Sequence, residues 1–435
     1  MTNPSTPAVL DTALEKDILD AADAGNDDLL SLTQTLVGFS SLLGDEGPAQ
    51  DFMEGLFRGM GLKVDRFEVT DEELSKVPGY SPAVGHWYNH DNVVATHTPA
   101  NPTGNSLILN GHIDVVPVGA EELWSTPPFE PTVREDRLYG RGSGDMKAGI
   151  AAYLSAFRTL TSLGLQPAAP VFLQSVVEEE CTGNGALACL HRGYTADAAV
   201  IPEPFQETIM SAQGGVMWLQ VEVTGKPAHV LNDTDGLNAI ESAFALWSGL
   251  KTLADEWNQP GNRHPAFAEL DTPIKFNLGK IRGGEWASSL ATRCVMDIRC
   301  GFYPGIATAR VRKDVERRLE KTAQANPRLA GITFEVNYAG FQSEGCIVDT
   351  EHPAVTVLSE SHLKVAGERP ELFVSAATTD VRTFQLYGSI PATCYGPEAS
   401  NIHGIDESVS IKSMNRVSAV LALFIARWCG LEKIR

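Results

Sequence analysis

The chain has 435 residues, with 34 Lys or Arg against 55 Asp or Glu, so its net charge at pH 7 is −21. With 43% hydrophobic and 20% charged residues, it has the composition of a globular protein with a core, not of a disordered chain. The shortage of basic residues argues against a nucleic-acid partner or an anionic membrane surface, because both are bound through Lys and Arg.

The beginning of the chain and its cysteines indicate a cellular compartment. The start, MTNPSTPAVLDTALEKD, lacks the basic end and apolar run of a signal peptide, and no stretch approaches the roughly 18 apolar residues of a membrane span. The seven cysteines show no CxxC spacing, so neither a disulfide framework nor a zinc knuckle is indicated. We therefore expect a cytoplasmic protein without a membrane partner.

The first 214 residues have the pattern of an α/β domain. Helical spacing of apolar residues continues to about residue 60, a strand follows near 62–69, and residues 70–90 form a polar and aromatic loop that includes Trp87 and Tyr88. From residue 92 onward, short apolar strands alternate with amphipathic helices. That alternation is typical of a mostly parallel sheet covered by helices on both faces.

The pattern changes near residue 215 and returns near residue 342. Between these points two helices and about four strands predict a small α+β unit with its helices on one face. The simplest organisation is a catalytic domain in two parts, residues 1–214 and 342–435, interrupted by an inserted domain at 215–341.

Five separated segments carry the side chains that hold divalent metals. Each alone has an ordinary structural explanation, such as a helix cap for an Asp that precedes a helix. However, most of them follow the ends of predicted strands, the edge at which an α/β sheet binds its ligand. Imidazole and carboxylate ligands suit zinc, cobalt or manganese. The candidates are His112 and Asp114 in GHID, Asp145 in GSGDMKAG, Glu179 and Glu180 in VEEEC, Glu203 in PEP, and His403 in IHGIDE.

Six motifs, taken in chain order, resemble one family. GHIDVVPVG, GRGSGDMKAG, EEECTGNG, PEP, GKPAHV and IHGIDE are similar to the motifs of the co-catalytic metallopeptidases and deacylases, which include acetylornithine deacetylase, succinyl-diaminopimelate desuccinylase, aminoacylase and carboxypeptidase G. The resemblance spans about residues 90–430. It implies a phosphorylase/hydrolase-like catalytic domain, a ferredoxin-like lid or dimerisation insert, and two divalent metal ions, with zinc expected and cobalt or manganese as alternatives.

The resemblance also implies a ligand set. Asp145 would bridge the two metals, His112 and Glu203 would complete one site, and Glu180 and His403 would complete the other.

A second group of residues would serve the chemistry of this centre. Asp114 would hydrogen-bond the imidazole of His112 and fix its tautomer. Glu179 would be the general acid/base that acts on a metal-bridging water. Because three acids stand in a row, either of two neighbouring pairs could supply the base and the ligand. In the family, glycines stand three and five residues after the second acid of the pair. Gly183 and Gly185 fit Glu180 as that second acid, which makes Glu179 the base.

The resemblance implies substrate contacts from several segments. His229 of GKPAHV would stabilise the oxyanion, often from across a dimer interface. Arg299 would bind a substrate carboxylate, while Arg382, with Asp380 nearby, and Asn401 fall in segments near the substrate. A homodimer through the inserted domain is therefore expected.

These residues predict hydrolysis of the amide bond of an N-acyl amino acid or a related small amide. A dipeptidase or carboxypeptidase acting on small peptides, or a hydrolase of an unusual amide or aromatic amine, remains open. A non-catalytic metal-binding homologue is the alternative from a different class, and the complete ligand set together with Glu179 argues against it.

Overall fold

The computed structural model of the protein describes residues 7–85, 90–231 and 236–434. Its helices are α1 Thr12–Ala24, α2 Asn26–Val37, α3 Gly47–Gly59, α4 Asp71–Leu74, α5 Ala148–Ser162, α6 Asn184–His191, α7 Ala239–Trp257, α8 Thr308–Ala325, α9 Pro353–Ala366 and α10 Ile411–Cys429. Its strands are β1 Lys63–Glu68, β2 Asp91–His97, β3 Leu107–His112, β4 Thr132–Arg134, β5 Arg137–Tyr139, β6 Leu165–Pro167, β7 Val171–Val176, β8 Ala198–Ile201, β9 Ile209–Gln213, β10 Gly215–Thr224, β11 Phe276–Gly283, β12 Arg293–Phe302, β13 Thr333–Asn337, β14 Gln342–Ser343, β15 Cys346–Ile347, β16 Leu372–Ser375, β17 Ala392–Cys394, β18 Ala399–Ser400, β19 Ser408–Ser410 and β20 Leu431–Lys433.

The larger sheet has six strands in the order β1-β2-β7-β3-β8-β17. Strands β7, β3, β8 and β17 run parallel to one another, while β1 and β2 pair antiparallel at one edge. The predicted α/β fold with a mostly parallel sheet is confirmed, and this antiparallel edge makes the sheet a mixed one.

Both faces of this sheet are covered. Val93 and Ala95 of β2 belong to the main core, whereas Val94 between them packs with Val176 and with Cys189 of α6. Because successive side chains of a strand point to opposite faces, the two clusters lie on opposite sides. On the main-core side, α5 is apolar nearly all round and packs against α1, α10 and β3, as a fully buried helix must.

The smaller sheet is antiparallel, with the order β11-β12-β10-β13 and β14 paired to β10. Helix α7 packs against β10, β11, β12 and α8, and Leu246, Leu250, Met296, Val315 and Leu319 form a separate core between helices and sheet. The predicted change to an α+β pattern is thus present. Its last strand ends at Ser343, and the exact domain bounds at 214/215 and 341/342 stay predictions.

The long loop predicted at 70–90 contains the short helix α4. Further on, Ser81 exchanges backbone hydrogen bonds with the side chain of Asn184, at 3.2 and 2.9 Å, so the loop is tied to the beginning of α6. Trp87 and Tyr88 lie outside the described residues.

All seven cysteines fall in the described ranges, and each is buried and free of disulfides, as the sequence predicts. None of the helices described is both long and apolar enough to cross a bilayer.

Candidate metal centre

Three neighbouring parallel strands bring three of the five predicted ligands to one edge of the larger sheet. His112 is the last residue of β3, Glu180 follows the end of β7, and Glu203 follows the end of β8. Since β7, β3 and β8 are adjacent and parallel, their carboxyl ends meet, and a ligand site is expected there.

The five predicted metal ligands form two clusters that share Asp145. The first contains His112, Asp145 and Glu203, the second contains Asp145, Glu180 and His403, and the ligand atoms of each lie within 4.8 Å of one another. Asp145 Oδ1 is 3.1 Å from His112 Nε2, and Asp145 Oδ2 is 3.2 Å from His403 Nε2. One carboxylate therefore presents one oxygen to each cluster.

The remaining distances suit small divalent ions. His112 Nε2 is 3.8 Å from Glu203 Oε1, and His403 Nε2 is 3.1 Å from Glu180 Oε1. Ligands bound at about 2.0–2.2 Å around a tetrahedral ion lie about 3.3–3.6 Å apart. The observed separations are close to this range, so each cluster has room for one ion. The donor set, one imidazole with carboxylates, is one that zinc, cobalt or manganese accepts.

The electrostatics of the site favour the binding of cations. Burial raises the pKa of Glu179 and of Glu203 well above the ordinary value, and neighbouring acids add to both shifts. The charge of Glu180 raises the pKa of His403 to about 11. Burying several carboxylates together is costly unless positive charge pairs with them, and bound divalent ions would supply that charge.

Asp114 contacts His112 most closely through its backbone oxygen, and the predicted role of its carboxylate toward the imidazole stays a prediction. His112 Nδ1 is 2.9 Å from the backbone oxygen of Asp114, which can only accept, so Nδ1 carries the proton and Nε2 is left as the ligand atom. The nearer carboxylate oxygen is 3.6 Å from Nδ1. That carboxylate instead accepts the backbone N–H groups of Glu180, at 3.1 Å, and Glu179, at 3.4 Å.

The loop that carries Asp145 is held by Glu407, a residue to which the sequence assigned no role. Glu407 is fully buried, and its carboxylate accepts the backbone N–H groups of Gly142, Gly144 and Asp145 at 2.9–3.0 Å. Arg141 pairs with it at 2.5 Å. Glu407 is the last residue of the IHGIDE motif, which is the signal that could have identified it.

The turn that carries Glu179 and Glu180 is held by a second network. Glu178, with φ of 63°, hydrogen-bonds the hydroxyl of Thr182, and its other carboxylate oxygen lies 2.6 Å from His90 Nε2. His90 also faces Glu46 at 3.5 Å. His90 and Glu46 stand in no recognisable motif, so sequence reasoning missed them.

Arg382 supports the same turn from behind. It is 1% exposed, and its Nη2 donates to the backbone oxygen of Thr182 at 2.8 Å. Gly183, with φ of 73°, leaves room for it, because a Cβ there would lie 2.1 Å from that nitrogen. Asp380 is equally buried.

Cys181 is buried, which raises its thiol pKa well above the ordinary value, so a nucleophilic role is not favoured.

Three residues predicted to contact the substrate make hydrogen bonds to backbone groups and not to the two clusters. Arg299 donates through its two terminal nitrogens to the backbone oxygens of Lys275, at 3.2 Å, and Ala376, at 3.1 Å. Asn401, exposed and with φ of 56°, contacts the backbone of Asp406. Exposed His229 accepts the backbone N–H of Leu231 through Nδ1. Their roles toward a substrate stay predictions.

Comparisons with known proteins identify the family of the chain. Residues 108–427 match the model of a family described as peptidase family M20/M25/M40. N-formyl-4-amino-5-aminomethyl-2-methylpyrimidine deformylase from Halalkalibacterium halodurans is 31% identical over 96% of this chain and 98% of its own. Succinyl-diaminopimelate desuccinylase from Dechloromonas aromatica is 27% identical over 76% of this chain and 86% of its own. The structure of human carnosine dipeptidase 1 shares the fold, with a TM-score of 0.76 at 15% identity over 97% of this chain and 99% of its own.

Replacing Glu407 with Gln should weaken metal binding. The amide would place a donor against backbone N–H groups, and the loop carrying Asp145 would lose its fixed position. We expect zinc affinity, measured by competition with a chromophoric chelator, to fall about 10- to 100-fold, as for other residues that orient metal ligands. Glu398→Gln, at a carboxylate whose side chain is 51% exposed, is the matched control, and equal affinities in both variants would contradict this role of Glu407.

The stabilisation from His90 should depend on pH. Burial alone would lower the pKa of His90, but Glu178 and Glu46 outweigh burial and raise it to about 10. Below about pH 6.5 the folded and unfolded chains both carry the proton, so the stabilisation is fully present. Between 6.5 and about 10 only the folded chain keeps the proton, so stability is lost as pH rises.

The measurement is the melting temperature of the metal-free protein from pH 6 to 10. His90→Asn should melt well below the wild type at pH 6, and the difference should shrink as pH approaches 10. His191→Asn, at an exposed position of α6, should follow the wild type throughout. A difference between His90→Asn and the wild type that stays constant over this range would show that the ion pair is not the stabilising interaction.

Proposed function

The chain belongs to peptidase family M20/M25/M40, and on that premise we propose that it hydrolyses a small acyl amide with two divalent metal ions, zinc first. The observation that supports this most strongly is the position of Asp145, which offers one oxygen to each of two imidazole-carboxylate clusters. Ions bound there would supply Lewis acidity, lowering the pKa of a water and polarising the amide carbonyl.

The protein's own groups divide the remaining work. His112 and Glu203 would hold one ion and Glu180 and His403 the other, with Asp145 shared by both clusters. Glu179 accepts a proton from the attacking water and delivers it to the amine that leaves. Glu179 is buried, and a carboxylate held beside the reacting water can both take and return a proton.

The acyl group is proposed to be short. The relative from Halalkalibacterium halodurans is named for the removal of a formyl group and the one from Dechloromonas aromatica for the removal of a succinyl group. Formyl amides are therefore the first substrates to test, followed by acetyl and succinyl amides of amino acids.

Replacing Glu179 with Gln should separate metal binding from catalysis. Gln cannot shuttle a proton, so we expect kcat to fall by about 10²- to 10⁴-fold while the metal content, measured by atomic emission, stays that of the wild type. Glu180→Gln is the matched comparison and should lose metal as well as activity. A chelator should abolish wild-type activity, with zinc, cobalt or manganese restoring it, and full turnover by Glu179→Gln would disprove the assigned chemistry.

We also propose a homodimer in which His229 of one chain completes the site of the other. His229 is exposed and accepts a hydrogen bond from the backbone N–H of Leu231 in its own segment. Large apolar side chains on the same unit are exposed, Leu231 by 84%, Phe244 by 52% and Trp286 by 74%, and β11 is an edge strand. Exposed apolar groups and open sheet edges are typical of interaction surfaces.

Mixing two inactive variants tests this arrangement. In a heterodimer of His229→Ala and Glu179→Gln chains, one site has both Glu179 and a His229 from the other chain. Random mixing after dissociation should therefore restore about a quarter of wild-type activity in a two-fold symmetric dimer. Heterodimers detected by mass spectrometry that show no activity would contradict the exchange of His229 between chains.

A further inference from the structure

Ser81 binds the smaller sheet from a fully buried position in the loop between β1 and β2. It is 0% exposed, and its hydroxyl oxygen accepts the backbone N–H of Gln342 at 3.0 Å. Gln342 belongs to β14, which pairs with β10 of the smaller sheet. The backbone oxygen of the next loop residue, Pro82, accepts the N–H of Gly340 at 2.7 Å. Two hydrogen bonds thus join this loop to the end of the smaller sheet.

The loop and the smaller sheet are also in close van der Waals contact. Gly340 has φ of 72°, and a Cβ on it would lie 2.4 Å from Cε3 of Trp218 and 3.0 Å from Cγ1 of Val84. Trp218 is part of β10 and Val84 is part of the loop. A side chain at position 340 would therefore force the two apart, and glycine permits their direct contact.

On its other side, Ser81 is bound to the turn that carries Glu178, Glu179 and Glu180, which we call the acid turn. The backbone N–H of Ser81 donates to Oδ1 of Asn184 at 3.2 Å, and Nδ2 of Asn184 donates to the backbone oxygen of Ser81 at 2.9 Å. The backbone N–H of Asn184 donates to Oγ1 of Thr182 at 3.0 Å, and that hydroxyl donates to the carboxylate of Glu178. A continuous series of hydrogen bonds therefore runs from β14 to the residue before Glu179.

Each member of this series is buried. Gln342, Ser81, Asn184, Thr182 and Glu178 all have little or no exposed surface. Water cannot easily replace a partner lost in such a place, so breaking one bond leaves a buried polar group unsatisfied. A displacement at the smaller sheet is therefore more readily followed by the acid turn than absorbed by solvent.

We propose that Ser81 and Asn184 are positioning residues that couple the smaller sheet to the acid turn, and through it to Glu179. The smaller sheet belongs to the unit that carries His229 and Arg299, the residues predicted to contact the substrate. The coupling makes the placement of the base depend on the placement of that unit. This inference rests on the proposed function and adds a means of regulating its base.

The kinetic test is Ser81→Ala, which removes the acceptor for Gln342 and keeps the backbone bonds to Asn184. A displaced base slows proton transfer and not substrate binding, so kcat of the zinc-loaded enzyme on a formyl amide should fall about 10- to 100-fold, with KM and zinc content unchanged. Ser361→Ala is the matched control and should keep the wild-type kcat, because that fully buried hydroxyl donates to Val357 within α9. With all variants assayed below their melting transitions, equal kcat values in Ser81→Ala and the control, or a loss confined to KM, would overturn the proposal.

A double variant tests whether Ser81 acts through Asn184. Asn184→Ala alone should also lower kcat, because it disconnects the loop from the acid turn. Adding Ser81→Ala to it should then cause little further loss, since residues that act in series are not additive. Losses that multiply in the double variant would show two independent effects and contradict the coupling.

Hydrogen exchange separates this inference from the proposed function. Gln342→Ala keeps the N–H that binds Ser81 but removes the side-chain bonds to the backbone oxygens of Trp218 and Phe341. It should speed exchange of the N–H groups of residues 182–184 in the zinc-loaded wild-type chain, and not in the Ser81→Ala chain. That result supports the coupling even if the wild type hydrolyses no amide, in which case the proposed function alone fails. The same response in both chains, or no response in either, rules the coupling out.

Discussion

The edge of the larger sheet that carries the candidate site is organised around one carboxylate, which two imidazoles share. Asp145 lies 3.1 Å from His112 and 3.2 Å from His403 through different oxygens, and these imidazoles hold its pKa well below the ordinary value despite burial. The adjacent ends of β3, β7 and β8 bring two further carboxylates to it. Cations bound there would neutralise this concentration of negative charge, so metal binding would stabilise the folded form of this edge.

Buried side chains hold the Asp145 loop and the turn of Glu179 and Glu180 in place through hydrogen bonds. Glu407 accepts hydrogen bonds from three backbone N–H groups of the Asp145 loop, and the carboxylate of Asp114 accepts from the N–H groups of Glu179 and Glu180. His90 and Arg382 reach the same turn from distant parts of the chain. Hydrogen bonds to backbone groups position the ligands before any metal binds, which is the condition for a site with defined geometry.

Sequence reasoning found the parts of the site that obey local rules. His112, Glu180 and Glu203 follow strand ends, and the order of six motifs assigned them to a family and a fold. What it missed depends on tertiary contacts. His90 lies 88 positions before Glu178 in the chain and contacts its carboxylate, and the backbone contact of Asp114 with His112 depends on the path of the turn. For the same reason, nothing in the local pattern shows that Arg299 contacts the backbone of Lys275 and Ala376.

The central claim is that Asp145 bridges two metal ions, and anomalous X-ray diffraction from crystals grown with zinc tests it most directly. The account predicts two anomalous peaks about 3.5–4 Å apart, each about 2.0–2.2 Å from a different oxygen of Asp145, with His112 at one and His403 at the other. A single peak, or two peaks of which only one contacts Asp145, would contradict it.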